Sequence, residues 1–278
     1  MPEGDHKMKK CPVIVLSIIL LHFIMAGCGG QDVHKVTIDI SAASSLKEVI
    51  SEIQRQYEEK NPDVRLNINF ASSGTHQRQI EQGAPVDLFI SAGKTQMDAL
   101  AAKGLVDKPY IIAGNSLVLV TSGIKDIPDG RGQPDDRAQP GIALEDLSSL
   151  EFRTIAIGDP ETVPAGRYAK EALTKAGIWE DISPKLVPAK DVRQVLVYVE
   201  TGNADAGLVY RSDALTSQKV NTSLAIPPDL HSPIVYPAAI VKSAKNPDQA
   251  AELLAYLQTG EARAVLKKYG FADSWPDS

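Results

Sequence analysis

The sequence predicts an α/β protein of two lobes, each a mostly parallel sheet flanked by helices, with a ligand cleft between them. Three observations carry this. From Lys35 onward, β-branched or alternating runs take turns with helically spaced ones, the pattern of parallel strands joined by crossover helices. A second series of the same kind starts near Ser116 and calls for a second sheet. The chain then ends in one strand and two helices that cannot form a lobe alone. Their place is against the first lobe, so the chain crosses between lobes twice.

Taken in order, 36–40 is β-branched, 46–57 has helical spacing, 64–70 alternates, 76–82 reads as a helix and 86–91 as a strand. This makes a βαβαβ half. The second half has strands at 116–121, 155–157 and 206–210 and helices at 166–176 and 191–201. Within it, residues 126–141 are rich in Pro, Gly and Asp and read as a surface loop. A strand at 234–241 precedes helices at 247–257 and 260–269, with Asn246 and Thr259 as expected caps. The expected division puts 35–114 and 220–278 in the first lobe and 115–219 in the second.

Composition narrows the function. The 278 residues are 43% hydrophobic and 23% charged, enough apolar material for one large core or two modest ones. A formal charge of −6 argues against a nucleic-acid partner, because phosphate-backbone binders cluster Lys and Arg. Aromatics at 5% are too few for stacking platforms. A small polar ligand fits better.

Residues 1–27 open with Lys7, Lys9 and Lys10, continue in an apolar run at 12–25 broken only by Ser17 and His22, and end in Ala26 and Gly27. A basic start, an apolar middle too short for a span of about 20 residues and small residues before a cut make a secretory leader. Met8 is an alternative start. Met-Ala-Gly-Cys at 25–28 reads as a lipoprotein processing site, with Cys28 acylated as the new N-terminus and residues 28–34 as a tether. The protein is therefore expected outside the cytoplasm, lipid-anchored on the outer face of the cell membrane or periplasmic. Cys11 and Cys28 are the only cysteines. The mature chain has no disulfide and rests on its core alone.

In open α/β sheets ligands sit at the carboxyl ends of strands, where the next helix points its N-terminus at the crevice. Four strand-to-helix turns qualify: 41–46 with Ser44 and Ser45, 71–75 with Ser73, 158–166, and 188–192. The plain reading of each serine is an N-cap contributing about 1 kcal/mol. Four such turns converging on one cleft offer free N–H donors and partial positive charge, and would hold an anion without a countercharge. The first two turns contain no Lys or Arg. Neither a Walker turn, a dinucleotide turn nor a nucleophile elbow appears. The histidines lack metal-ligand spacing. His76, beside the Ser73 turn, reads as an exposed helix-face residue, with a base or ligand role as the alternative.

The residues also carry a resemblance. Ala-Ala-Ser-Ser-Leu at 42–46, Ala-Ser-Ser-Gly-Thr at 71–75, Arg-Gln-Ile-Glu-Gln-Gly-Ala-Pro at 78–85, Gly-Asp-Pro at 158–160, Val-Pro-Ala-Gly-Arg-Tyr-Ala-Lys-Glu-Ala-Leu at 163–173 and Gly-Leu-Val-Tyr-Arg-Ser-Asp-Ala at 207–214 resemble the molybdate-binding proteins of bacterial ABC transporters. These are two-lobed periplasmic binding proteins of type II, and the resemblance covers about 36–271. It implies that Ser45, with Ser44 as the adjacent alternative, and Ser73 give hydroxyls. It implies backbone N–H groups from Ala165 and Val192 and a hydroxyl from Tyr210. Core filler is the alternative reading of Tyr210. Asp159, Asp213 and Arg167 are expected as caps, interface groups or surface contacts, because a carboxylate would repel a dianion.

The resemblance implies capture of molybdate, and tungstate with it, by a monomer without catalysis, with no cofactor and no direct metal ligand. The implied partners are a molybdate permease and its ATPase subunit, and the membrane through the lipid anchor. Sulfate or another tetrahedral oxyanion is the rival ligand. An exported serine hydrolase is the rival from another class, and it needs a base that only His76 offers.

Overall fold

The computed structural model describes residues 1–2, 35–122 and 142–273. Residues 3–27 of the expected leader, Cys28, the tether and the loop at 126–141 lie outside the described residues. The first sheet opens with β1 (Val36–Ala43), α1 (Lys47–Lys60), β2 (Val64–Ala71), α2 (Ser73–Glu81), β3 (Leu88–Ile90), α3 (Lys94–Ala102) and β4 (Tyr110–Gly114). The chain then crosses into β5 (Leu117–Ser122), β6 (Ile155–Gly158), α4 (Pro164–Lys175), α5 (Trp179–Ile182), β7 (Leu186–Ala189), α6 (Val192–Glu200), β8 (Ala206–Tyr210), α7 (Arg211–Ala214) and β9 (Val220–Ala225). It returns through β10 (Val235–Ile240), α8 (Pro247–Leu257) and α9 (Gly260–Lys268).

The two five-stranded sheets run β2-β1-β3-β10-β4 and β7-β6-β8-β5-β9. They share one plan. β1 lies parallel to β2 and β3, and β6 lies parallel to β7 and β8. The fourth strand of each sheet is reversed: β10 is antiparallel to β3 and β4, and β5 to β8 and β9. That reversed strand is in both cases the first one formed after a crossing.

The pairing of β9 corrects the expected division at 220. Val220–Ala225 is the edge partner of β5, from Ser122↔Val220 to Val118↔Ala225, so the return crossing falls between Ala225 and Val235. Polar Asn221, Thr222 and Ser223 suit an edge that water reaches.

Apolar spacing explains the packing. α1 buries Val49, Ile50, Ile53 and Tyr57 on one stripe, and α6 buries Val192, Val195, Leu196 and Val199 at i, i+3, i+4 and i+7. β5 is buried at every residue, as a strand covered on both faces should be. Each buried Val, Leu or Ile contributes about 1.5–3 kcal/mol. A polar knot fixes the returning chain. The Asp87 carboxylate, 2% exposed, accepts from Asp39 N (2.8 Å), Lys245 N (2.6 Å) and Asn246 N (3.0 Å). Thr259 caps α9 through Ala262 N as expected, whereas the Asn246 side chain reaches Thr37 O instead of capping α8.

Candidate functional site

The four turns expected from sequence end β1, β2, β6 and β7, and their helices start side by side. In the first, Ser44–Leu46 forms a single 3-10 turn before α1, with no side-chain cap. Ser45 therefore spends its hydroxyl elsewhere, 3.1 Å from the Tyr236 hydroxyl on β10. In the second, Ser72 does the capping, accepting from Thr75 N at 3.2 Å. That frees Ser73, whose Oγ accepts the Ala92 N–H at 2.9 Å. Its own proton is left to donate.

The third turn brings α4 close to the end of β6. Pro164 at the first helical position has no N–H, which leaves Ala165 as the first donor of the helix, without an intrahelical acceptor. A Cβ on Gly166 would lie 1.9 Å from the Gly158 carbonyl, so only glycine permits this approach. In the fourth turn, the Asp191 carboxylate caps α6 by accepting from Gln194 N at 2.9 Å, which leaves the Val192 N–H at the very start of the helix. Helix N-termini carry a partial positive charge and attract anions.

These starts surround a small hollow. It is bordered by Ser44, Ser45, Ser73, Ala165, Val192 and Tyr210, so all the residues expected from sequence meet there. Among the described residues, none that borders the hollow is charged. Sequence reasoning missed Ala92, which offers only backbone groups and so left no side-chain signal. Its N–H goes to Ser73, and its carbonyl accepts the Tyr210 hydroxyl at 3.2 Å. Tyr210 thus borders the hollow with its donor already engaged. Burial pushes the Tyr210 hydroxyl well above its ordinary range, so it keeps its proton.

His76 is corrected: it is fully buried instead of exposed, with Nε2 3.1 Å from Ala42 O and Nδ1 3.2 Å from Gln79 Oε1. Burial lowers its pKa, which keeps it neutral. Both ring nitrogens are engaged and it does not border the hollow, so His76 is not placed to serve the turn serines as a base. Asp159 staples its own loop through Glu161 N and Thr162 Oγ1. Arg167 lies over the Tyr168 ring, 5.0 Å from its centroid. No cluster of metal-ligating side chains occurs among the described residues.

The lobes touch across the hollow. Gly74 N donates to Thr162 O at 3.0 Å. Arg193 at the start of α6 pairs with Glu48 of α1.

Residues 38–272 match the family described as bacterial extracellular solute-binding protein. The chain belongs to that family. As a solute-binding protein of this kind it is exported, and its two lobes are the expected α/β pair. It is 42% identical over 265 residues to the putative ABC transporter substrate-binding lipoprotein YvgL of Bacillus subtilis, covering 93% of this chain and 96% of that one. It is 40% identical over 257 residues to the molybdate-binding protein ModA of Escherichia coli, covering 90% and 94%. Among solved structures, the substrate-binding domain of a putative molybdenum ABC transporter from Clostridium difficile is 37% identical, with a TM-score of 0.64 over 86% of this chain and all (100%) of that one.

Proposed function

We propose that this solute-binding protein captures molybdate, and tungstate with it, in the hollow between its lobes, and hands it to an ABC permease and its ATPase subunit. One observation carries the reading: Ser45, Ser73, Ala165, Val192 and Tyr210, drawn from four turns and a strand end, border a single uncharged hollow. Serine hydroxyls and helix-start N–H groups donate to the oxygens, and Tyr210 exchanges its Ala92 acceptor for the anion. Nothing is cleaved. The relatives that carry molybdate in their names support the choice of anion.

A site built of N–H and O–H donors, with no carboxylate on its border, favours an anion without a proton, because a remaining proton needs an acceptor. Hydrogen phosphate is disfavoured on that ground. Sulfate differs from molybdate in size, not charge, so pocket fit separates them. Cys28, acylated after cleavage of residues 1–27, holds the monomer at the outer membrane face, a reading supported by the name of the Bacillus lipoprotein.

Calorimetry of the mature domain against molybdate, tungstate, sulfate and phosphate tests this, with molybdate and tungstate expected to bind tightest. Ser73→Ala is expected to weaken molybdate binding about 10- to 150-fold, the worth of a hydrogen bond to a charged group. It also strands the Ala92 N–H, so a stability loss of about 1–3 kcal/mol is expected in a protein that still folds. Unchanged affinity in the folded variant would remove Ser73 from the site.

A further inference from the structure

A chain of hydrogen bonds leads from the first lobe crossing to Ser45, and its direction is fixed at its far end. Asn115 stands between β4 and β5. Its Oδ1 accepts the Ser116 backbone N–H at 2.9 Å, and a backbone N–H can only donate. This identifies the amide oxygen and turns both Nδ2 hydrogens the other way. One goes to Ser212 Oγ at 2.8 Å and the other to the Tyr236 hydroxyl at 3.1 Å.

Tyr236 is fully buried, its ring held edge-on between Tyr210 and Phe271 with centroids 5.9 Å and 5.2 Å away. Burial keeps the phenol protonated. With Asn115 occupying its oxygen as an acceptor, the hydroxyl has one proton to give, and Ser45 Oγ lies 3.1 Å off. The opposite direction, Ser45 donating to Tyr236, would leave the buried phenol proton without a partner, at a cost comparable to a lost hydrogen bond.

We infer that Tyr236 and Asn115 are positioning residues that make Ser45 a hydrogen-bond donor toward the hollow. Ser45 Oγ accepts from Tyr236, so its own proton points to the ligand, as the proton of Ser73 does once Ala92 N–H occupies its oxygen. The two serines are thereby set to the same polarity by different means, one by a backbone amide and one by a side-chain relay. Asn115 reaches both Ser212 in the second lobe and Tyr236 in the first. The polarity of Ser45 thus depends on the posture of the crossing.

The inference rests on the oxyanion reading above, and a double-mutant cycle separates the two. Wild type, Tyr236→Phe, Ser45→Ala and the double variant are titrated with molybdate by calorimetry. Tyr236→Phe is expected to weaken binding about 5- to 12-fold in the wild-type background and less than about twofold when Ser45 is already Ala. A merely structural role would weaken both backgrounds alike. Asn115→Ala is a second probe that keeps the buried ring intact; it is expected to weaken binding about 2- to 5-fold, again only while Ser45 is present. Equal losses in the two backgrounds, or no loss from either variant, overturn the relay while leaving the anion reading standing. A folded wild type that binds no oxyanion overturns both.

Discussion

Asp213, at the start of the second lobe's α7, is fully buried against Arg193, whose Nη1 lies 3.4 Å from its Oδ1. The same guanidinium pairs with Glu48 in the other lobe. Burial outweighs Arg193 and, with Glu48 and Asp191 nearby, pushes the carboxyl up to about 7. An unfolded aspartate titrates near 3.9, so the folded chain holds this proton more tightly. The resulting stability is complete below that value and is lost as pH rises through about 7. Between pH 6 and 8.5 the loss amounts to about 1 kcal/mol. His76, buried neutral, acts in the opposite sense on acidification, equally in wild type and variant. Thermal melting of wild type against Asp213→Asn is therefore expected to show the difference between them changing across that range. Parallel pH profiles would mean Asp213 stays ionised in the fold. Sequence alone leaves Asp213 among caps, interface groups and surface contacts, by asking what a carboxylate would do to a dianion; its partner Arg193 is the group that reaches Glu48 of the other lobe. It misplaced His76, because the helix spacing around it does not say that the Ala42 carbonyl stands opposite.

At the scale of elements, the Asp87 knot ties β1 and β3 to the segment that launches α8. Asp87→Ala leaves three backbone N–H groups without their acceptor and is expected to cost about 3 kcal/mol or more, read by chemical denaturation. A loss below about 1 kcal/mol would mean that water replaces the carboxylate. The elements legible in sequence are those with a clear apolar period, such as α1 and α6, or with an unbroken apolar run, such as β5. β9 escapes such a reading because its polar edge residues carry no alternation, and β4 because only Asn115 and Ser116 separate it from β5. The turns of the site were legible because small and hydroxyl residues at strand ends have few other uses there. Ala92 was not, since its contribution is backbone, and neither was Tyr236, which meets Ser45 across 191 positions of chain.

For the whole molecule, contact between the lobes runs through Gly74. A Cβ at that position would stand 2.4 Å from Thr162 O, a backbone atom of the opposite lobe. Gly74→Ala suits helix α2, where alanine is favoured by about 1 kcal/mol, but keeps the lobes apart. Small-angle scattering is expected to show wild type contracting on addition of molybdate and the variant failing to contract, with affinity reduced at least about tenfold. Matching contraction in both would show that the Thr162 loop gives way. The shared sheet plan has a consequence of its own for how such a chain is made. β4 touches the first sheet only through β10, which is synthesised after the entire second sheet. A polypeptide emerging amino end first thus holds three paired strands and one stray, with a slot beside β3, until more than a hundred further residues have appeared. The half that begins first is the half that finishes last.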